Sequence, residues 1–227
     1  MPNPPTTHTL QVSRTARVAT LGTPANAGSW WVVLHGYGQL AADFIQPFAP
    51  LVTSSRCVVA PEGLSRFYVD GIDTHEKVGA SWMTREAREA EIEDYISALD
   101  ATVHHLSHND PPVSLCVLGF SQGAATASRW ALLGDTAVDR LVLWGGAPAH
   151  DLDLARHADR LRNLNLTLIT GTEDPYVTAE RRTAVRRRLR AHDIPVTIRT
   201  FNGGHRLDEA TLLSLVNGRN GDDWDRS

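Results

Sequence analysis

Five short runs in this chain are apolar or nearly so: Trp30 to Leu34, Cys57 to Ala60, Val113 to Leu118, Leu141 to Trp144 and Leu166 to Ile169, with Ser114 and Thr167 as the single hydroxyl residues among them. A strand with one wet face alternates polar and apolar residues, so near-continuous runs of this length mark strands buried on both faces, the signature of a parallel sheet covered by helices. Helical spacing fills the intervals. The clearest case is Glu86 to Leu106, where Ile92, Tyr95, Ile96, Leu99, Val103 and Leu106 share one face. Further helices are expected at about Ala42 to Val52, Gln122 to Leu133, Leu154 to Leu161, Thr178 to Ala191 and Asp208 to Val216, with a last strand at Val196 to Phe201. Thr9 to Val12 and Arg17 to Leu21 read as an antiparallel hairpin at the sheet edge. The expected fold class is therefore α/β, a mostly parallel central sheet with helices on both faces and an N-terminal edge hairpin. A length of 227 residues, 42% of them hydrophobic, suits one domain across 1–227, with 1–7 and the Gly-, Asn- and Asp-rich 217–227 loosely held. Only about twenty residues separate Trp144 from Leu166, too few for a lid domain.

The run Val113 to Leu118 leads directly into Gly119-Phe120-Ser121-Gln122-Gly123. A G-x-S-x-G segment between a buried strand and a small-residue helix makes a tight, strained turn that lifts the serine hydroxyl clear of the sheet. Ala124, Ala125 and Ala127 supply the small helix. A serine becomes nucleophilic when an imidazole accepts its proton and a carboxylate orients that imidazole. Asp174 follows the strand ending at Ile169, and His205 follows the strand ending at Phe201, so both partners fall at the same sheet edge as Ser121. Glu173, next door, is a rival carboxylate. The developing oxyanion needs amide donors: Gln122 provides one by position, and the loop Leu34-His35-Gly36-Tyr37-Gly38 the other, assigned to Tyr37 with Gly38 as the alternative. His35, upstream of the serine at a strand terminus, reads as a structural hydrogen-bonding group.

Leu34-His35-Gly36-Tyr37-Gly38, Gly119-Phe120-Ser121-Gln122-Gly123, Asp174-Pro175-Tyr176-Val177 and Gly204-His205 together make the chain, from about Trp30 to His205, resemble an α/β-hydrolase of the carboxylesterase and phospholipase group that includes the acyl-protein thioesterases. The resemblance implies hydrolysis of a carboxylic ester or thioester by a Ser-His-Asp triad, with no metal and no organic cofactor. Gly123-Ala124 stands where that group has Gly-Gly, and Tyr37-Gly38-Gln39 where it has Leu-Gly-Asp. The expected activity is cleavage of esters with small or medium acyl chains through an acyl-enzyme. Acyl thioesters, lysophospholipids and a non-catalytic binding role on the same scaffold are the alternatives.

Large side chains in the stretch from Glu62 to Thr84, namely Phe67, Tyr68, Trp82 and Met83, are candidates for the wall of an acyl pocket or for anchors of that loop, and Tyr176 and Trp144 are further pocket candidates. The formal net charge of -4, with signs mixed, leaves no electropositive face for nucleic acid. The arginines of 181–190 read as a solvated helix face, with a patch for an anionic partner as the alternative. His104 and His108 have i, i+4 spacing but no evident third ligand, so no metal site is expected. Cys57 and Cys116 lie inside apolar runs and read as small buried hydrophobes. The N-terminus lacks a signal-like apolar segment and no stretch reaches a membrane span, which points to a cytoplasmic protein acting on a small molecule; a homodimer is compatible with this reading.

Overall fold

The computed structural model describes residues 5–71, 74–108 and 112–217. The expected looseness of 1–4 and 218–227 concerns residues outside that set. Along the chain the strands are β1 (Val18–Leu21), β2 (Ser29–Leu34), β3 (Arg56–Pro61), β4 (Ser65–Tyr68), β5 (Val78–Ser81), β6 (Ser114–Phe120), β7 (Arg140–Trp144), β8 (Asn165–Gly171) and β9 (Thr197–Phe201). The helices are α1 (Ala41–Phe44), α2 (Arg88–Ser107), α3 (Gln122–Leu133), α4 (Ala158–Asn163), α5 (Ala179–Arg190) and α6 (Glu209–Asn217). Seven strands form one sheet in the order β1-β3-β2-β6-β7-β8-β9, all parallel except β1, which runs antiparallel to β3. Chain order reverses between β2 and β6, so the loops leaving their carboxyl ends diverge around a crevice, the place where open sheets of this kind bind ligands.

Alternation along β2 divides the core in two. Trp30, Val32 and Leu34 pack with Tyr95, Leu99 and Trp130 on the face covered by α2 and α3, whereas Trp31 and Val33 pack with Phe44, Phe48 and Leu212 on the face covered by α1 and α6. Large indoles inside need partners for their N–H groups. Trp130 donates to Asp100 Oδ1 at 2.8 Å, and the same carboxylate accepts from the Asp135 and Thr136 amides, so one side chain of α2 ties down α3 and the turn that follows it. Cys57 and Cys116 are buried free thiols; burial raises their pKa to about 11 and about 12 respectively, which leaves both as inert packing groups.

Three expectations are corrected. Residues 9–12 form no strand, so the edge is the single strand β1 rather than a hairpin; Leu10 and Val12 are exposed and have no neighbouring strand to bury them. The interval from Ala42 to Val52 is only one turn of α-helix followed by a 3-10 stretch, Gln46–Leu51, because Pro47 and Pro50 cannot donate the bonds a continuous α-helix requires. The stretch from Glu62 to Thr84 is not a plain loop: β4 and β5 pair as a separate antiparallel hairpin with Phe67 opposite Gly79. Between β7 and β8 the segment carries only α4.

A second polar cluster ties α3 to the loop after β7. Arg129 is buried on α3 and donates through Nη2 to Asp151 Oδ1 at 2.8 Å and through Nη1 to Tyr95 Oη at 3.1 Å, and Arg88 reaches Asp151 Oδ2 at 2.7 Å. Burial alone would raise the Asp151 carboxyl, but the Arg129 and Arg88 guanidiniums outweigh it and hold its pKa below the ordinary 3.8. A carboxylate with a depressed folded pKa contributes stability that is present above its unfolded pKa and lost as pH falls through the folded value. The parent protein should therefore lose stability relative to Asp151→Asn as pH drops below about 4. Melting temperatures of both proteins between pH 7 and pH 3 check this; parallel curves would show that the ion pairs contribute nothing.

Candidate functional site

At the end of β6 the chain turns into α3 through Ser121, whose φ of 55° and ψ of -115° lie outside the regions ordinary residues occupy. The turn is so tight that a Cβ on Gly119 would stand 2.1 Å from the Gly123 carbonyl oxygen, and one on Gly123 would stand 2.2 Å from that of Leu34. Only hydrogen fits in either place. The Ser121 amide donates to Trp144 O at 2.9 Å, so the strained residue is also held from β7.

Ser121 Oγ lies 2.8 Å from His205 Nε2, and His205 Nδ1 lies 2.7 Å from Asp174 Oδ2. A buried carboxylate beside Nδ1 selects the tautomer that carries its proton there, leaving Nε2 to accept from the serine hydroxyl. Asp174 is itself held by the Tyr176 and Val177 amides, which donate to Oδ1 at 2.8 and 3.2 Å. The rings of Phe120 and Tyr176 pack on the His205 imidazole with centroids 4.9 and 4.8 Å away. Glu173, the rival carboxylate, has an exposed side chain, and the structure brings Asp174 rather than Glu173 to the imidazole.

On the other side of Ser121 lies the loop after β2. The Gly38 amide is occupied, donating to Ala80 O at 2.9 Å, and the Gly36 amide donates to the Gln39 side chain at 2.8 Å. The Tyr37 amide has no acceptor among the described residues, and neither has that of Gln122, which opens α3. Two uncommitted donors thus flank the serine. His35 is fully buried: its Nε2 accepts from the Gly63 amide at 2.9 Å, so Nδ1 carries the proton and donates to Gly36 O at 2.8 Å. Burial holds its pKa below 6.5, against the opposing effect of that bond, and the neutral ring serves as a brace for the loop.

The β4–β5 hairpin anchors this loop instead of lining the cleft. Ala80 pairs with Gln39, and the Trp82 indole is 3% exposed, stacks on His35 and donates to His35 O at 2.8 Å. Gln122 grips the same strand end: its Nε2 donates to Met83 O at 2.8 Å and its Oε1 accepts from the Trp82 amide at 3.2 Å. Met83 turns its sulfur toward Arg129. Trp144 is also in the core. Phe67 stacks on Tyr37 at 5.0 Å, and Tyr68 is exposed beside His75. Of the side chains expected to shape a pocket, Tyr176 is the one that borders the cleft containing Ser121 and His205.

That cleft has a volume of about 480 Å³ and opens over β8, β9 and α5, with Leu168, Ile198 and Val185 as its apolar lining. Sequence reasoning missed this wall because those residues come from three separate elements; the one signal available was that β8 and β9 end beside the triad. A hollow of about 940 Å³ beside α2 is bordered by Trp82 and does not include Ser121. Among the described residues no three His, Cys, Asp or Glu side chains gather as a metal site, and no helix is long and apolar enough to cross a membrane.

The contrast between anchor and rim is testable. Trp82→Ala should lower stability by about 3–5 kcal/mol, as loss of a buried aromatic does, whereas Phe67→Ala should change stability by less than about 1 kcal/mol, in keeping with a partly exposed side chain. Chemical denaturation of both variants measures the difference, and equal losses would mean that the hairpin is packed as tightly at Phe67 as at Trp82.

Comparison with known structures finds the same fold in several solved proteins. An acyl-protein thioesterase 2 from Zea mays aligns with a TM-score of 0.64 at 20% identity, covering 89% of this chain and 99% of its own. Esterase PE8 aligns at 0.66 and 21% identity, covering 90% of this chain and 97% of its own, and the Bacillus cereus carboxylesterase at 0.64 and 16%, covering 89% and 92%. At these identities the likeness is one of fold. Among curated proteins no sequence match is found. Residues 32–209, however, match the family model described as serine hydrolase (FSH1), a span that holds the elbow, the imidazole and the carboxylate. The chain belongs to the FSH1 serine hydrolase family.

Proposed function

We propose that the protein hydrolyses carboxylic esters of small or medium acyl chains through a Ser121-His205-Asp174 triad. The observation that carries this reading is the unbroken hydrogen-bonded chain from Ser121 Oγ through His205 to Asp174, at 2.8 and 2.7 Å. His205 Nε2 takes the hydroxyl proton as Ser121 Oγ attacks the ester carbon, and the oxyanion that forms is received by the Tyr37 and Gln122 amides. Collapse of the tetrahedral species breaks the bond to the alcohol oxygen, which leaves with the proton from His205. Water then attacks the acyl-Ser121 ester, gives its proton to His205, and releases the carboxylic acid as Ser121 regains its hydrogen. Asp174 stays ionised throughout and stabilises the imidazolium. The apolar cleft of about 480 Å³ supports a short or medium acyl group, and its exposure to solvent supports a soluble small-molecule substrate. Two unpaired, buried cysteines are in keeping with a cytoplasmic enzyme.

A fluorophosphonate probe should label the parent protein at Ser121 and leave Ser121→Ala unlabelled. With p-nitrophenyl esters of graded length as substrates, His205→Ala should lose turnover by about a million-fold and Asp174→Asn by about ten-thousand-fold, the imidazole moving the proton while the carboxylate only orients and stabilises it. Glu173→Gln should stay near the parent rate. A larger loss at Glu173 than at Asp174, or labelling that survives in Ser121→Ala, would overturn the assignment.

A further inference from the structure

The cleft has two cations at its rim whose bonds within the fold use only part of their donors. Arg181 and Arg182 border it together with Ser121 and His205, and among the described residues neither forms an ion pair. Both stand in the first turn of α5, directly after its cap Thr178, where the positive end of the helix dipole disfavours a cation. The helix dipole gains nothing from arginine there. Thr178 and the charge of Arg182 both lower the pKa of the neighbouring Glu180 carboxylate, which among the described residues forms no ion pair with either arginine. Asp174 is buried with its oxygens already used by His205, Tyr176 and Val177, so it does not neutralise the pair. Each guanidinium instead spends one nitrogen on a backbone carbonyl of the loop that positions Asp174: Arg181 Nη1 donates to Tyr176 O at 2.7 Å and Arg182 Nη1 to Val177 O at 3.3 Å. Those bonds hold the side chains beside the cleft while leaving further N–H groups to face a ligand. Arg188, on the same helix, shows the structural alternative, since its nitrogens are used on the carbonyls of Ala149, His150 and Leu152.

From the apolar lining and the cationic rim together, we infer that the cleft selects esters bearing a carboxylate a short apolar spacer away from the scissile carbonyl, with the carboxylate seated on Arg181 and Arg182. This rests on the hydrolase reading above and deepens it by naming the substrate class. Arginine presents paired N–H groups that match a carboxylate, and next to a low-polarity wall such contacts are stronger than in open water. The carboxylate belongs to either the acyl or the alcohol half of the ester, and the two are distinguished by substrate.

The test compares p-nitrophenyl hemiglutarate with p-nitrophenyl valerate for the acyl half, and the acetate ester of γ-hydroxybutyrate with butyl acetate for the alcohol half. In the parent protein one anionic ester should exceed its neutral match in kcat/KM, the advantage lying in KM and shrinking as salt is raised, a measurement that needs no variant. In Arg181→Gln, Arg182→Gln and the double variant the anionic-to-neutral ratio should fall, by about tenfold or more in the double variant. Calorimetry of monoethyl glutarate with Ser121→Ala, with and without the arginine replacements, reads the same contact without turnover. Neutral esters turned over with no preference for charge in either half would overturn this inference and leave the hydrolase reading standing. Charge-dependent binding without any turnover would instead overturn the hydrolase reading and leave the cation pair as a binding site.

Discussion

The contact on which the rest of the site depends is the one between the elbow and the end of β2. Gly123 lies so close to the Leu34 carbonyl that no side chain fits between them. That approach seats α3 against the sheet over β6 and β7 with its first turn reaching β2, puts the first amide of α3 beside the loop that leaves β2, and holds Ser121 in a backbone conformation that sequence-local forces would not choose. Strain of this kind persists only when the surroundings over-determine it. Here they do: the parallel pairing of β6 with both β2 and β7 fixes the strand that enters the turn, and the buried Trp130 and Arg129 fix the helix that leaves it.

A second layer of polar contacts keeps the loop after β2 in place. Gln39, Ala80, Trp82, His35 and Gln122 form a connected circuit in which backbone amides and side chains from three separate segments satisfy one another. Its effect is selective occupation. The neighbouring amides of Gly36 and Gly38 are consumed by the circuit, and that of Tyr37 has no acceptor among the described residues. The large aromatic Trp82 therefore lies behind the loop, as packing under it, and the cleft that holds Ser121 and His205 is walled by β8, β9 and α5.

Much of this was legible in the order of residues. Runs buried on both faces announced the parallel strands, and G-F-S-Q-G after one of them announced the turn, because close backbone approach requires glycine at fixed spacing. Asp174 and His205 were legible by their positions just beyond strands β8 and β9, although the choice of Asp174 over Glu173 depended on which carboxylate the folded loop turned inward. The edge hairpin failed because Thr9 to Val12 has the local composition of a strand but no partner to pair with. The role of Trp82 was left open between wall and anchor for a related reason: a large side chain near a site is equally suited to lining it and to supporting it, and only burial distinguishes the two.

The amino-acid sequence by itself determined the class of fold and the place of the tight turn that carries Ser121, since these rest on periodicity and on residue types that must occur at short, fixed spacing. What surrounds Ser121 was decided by tertiary structure. The setting of the Tyr37 amide, the brace formed by His35 and Trp82, and the cleft between Leu168, Ile198 and the arginines of α5 each join residues far apart in the chain. Such groups meet only after the sheet has set the distances between its strands, and no local pattern records which of them will face one another.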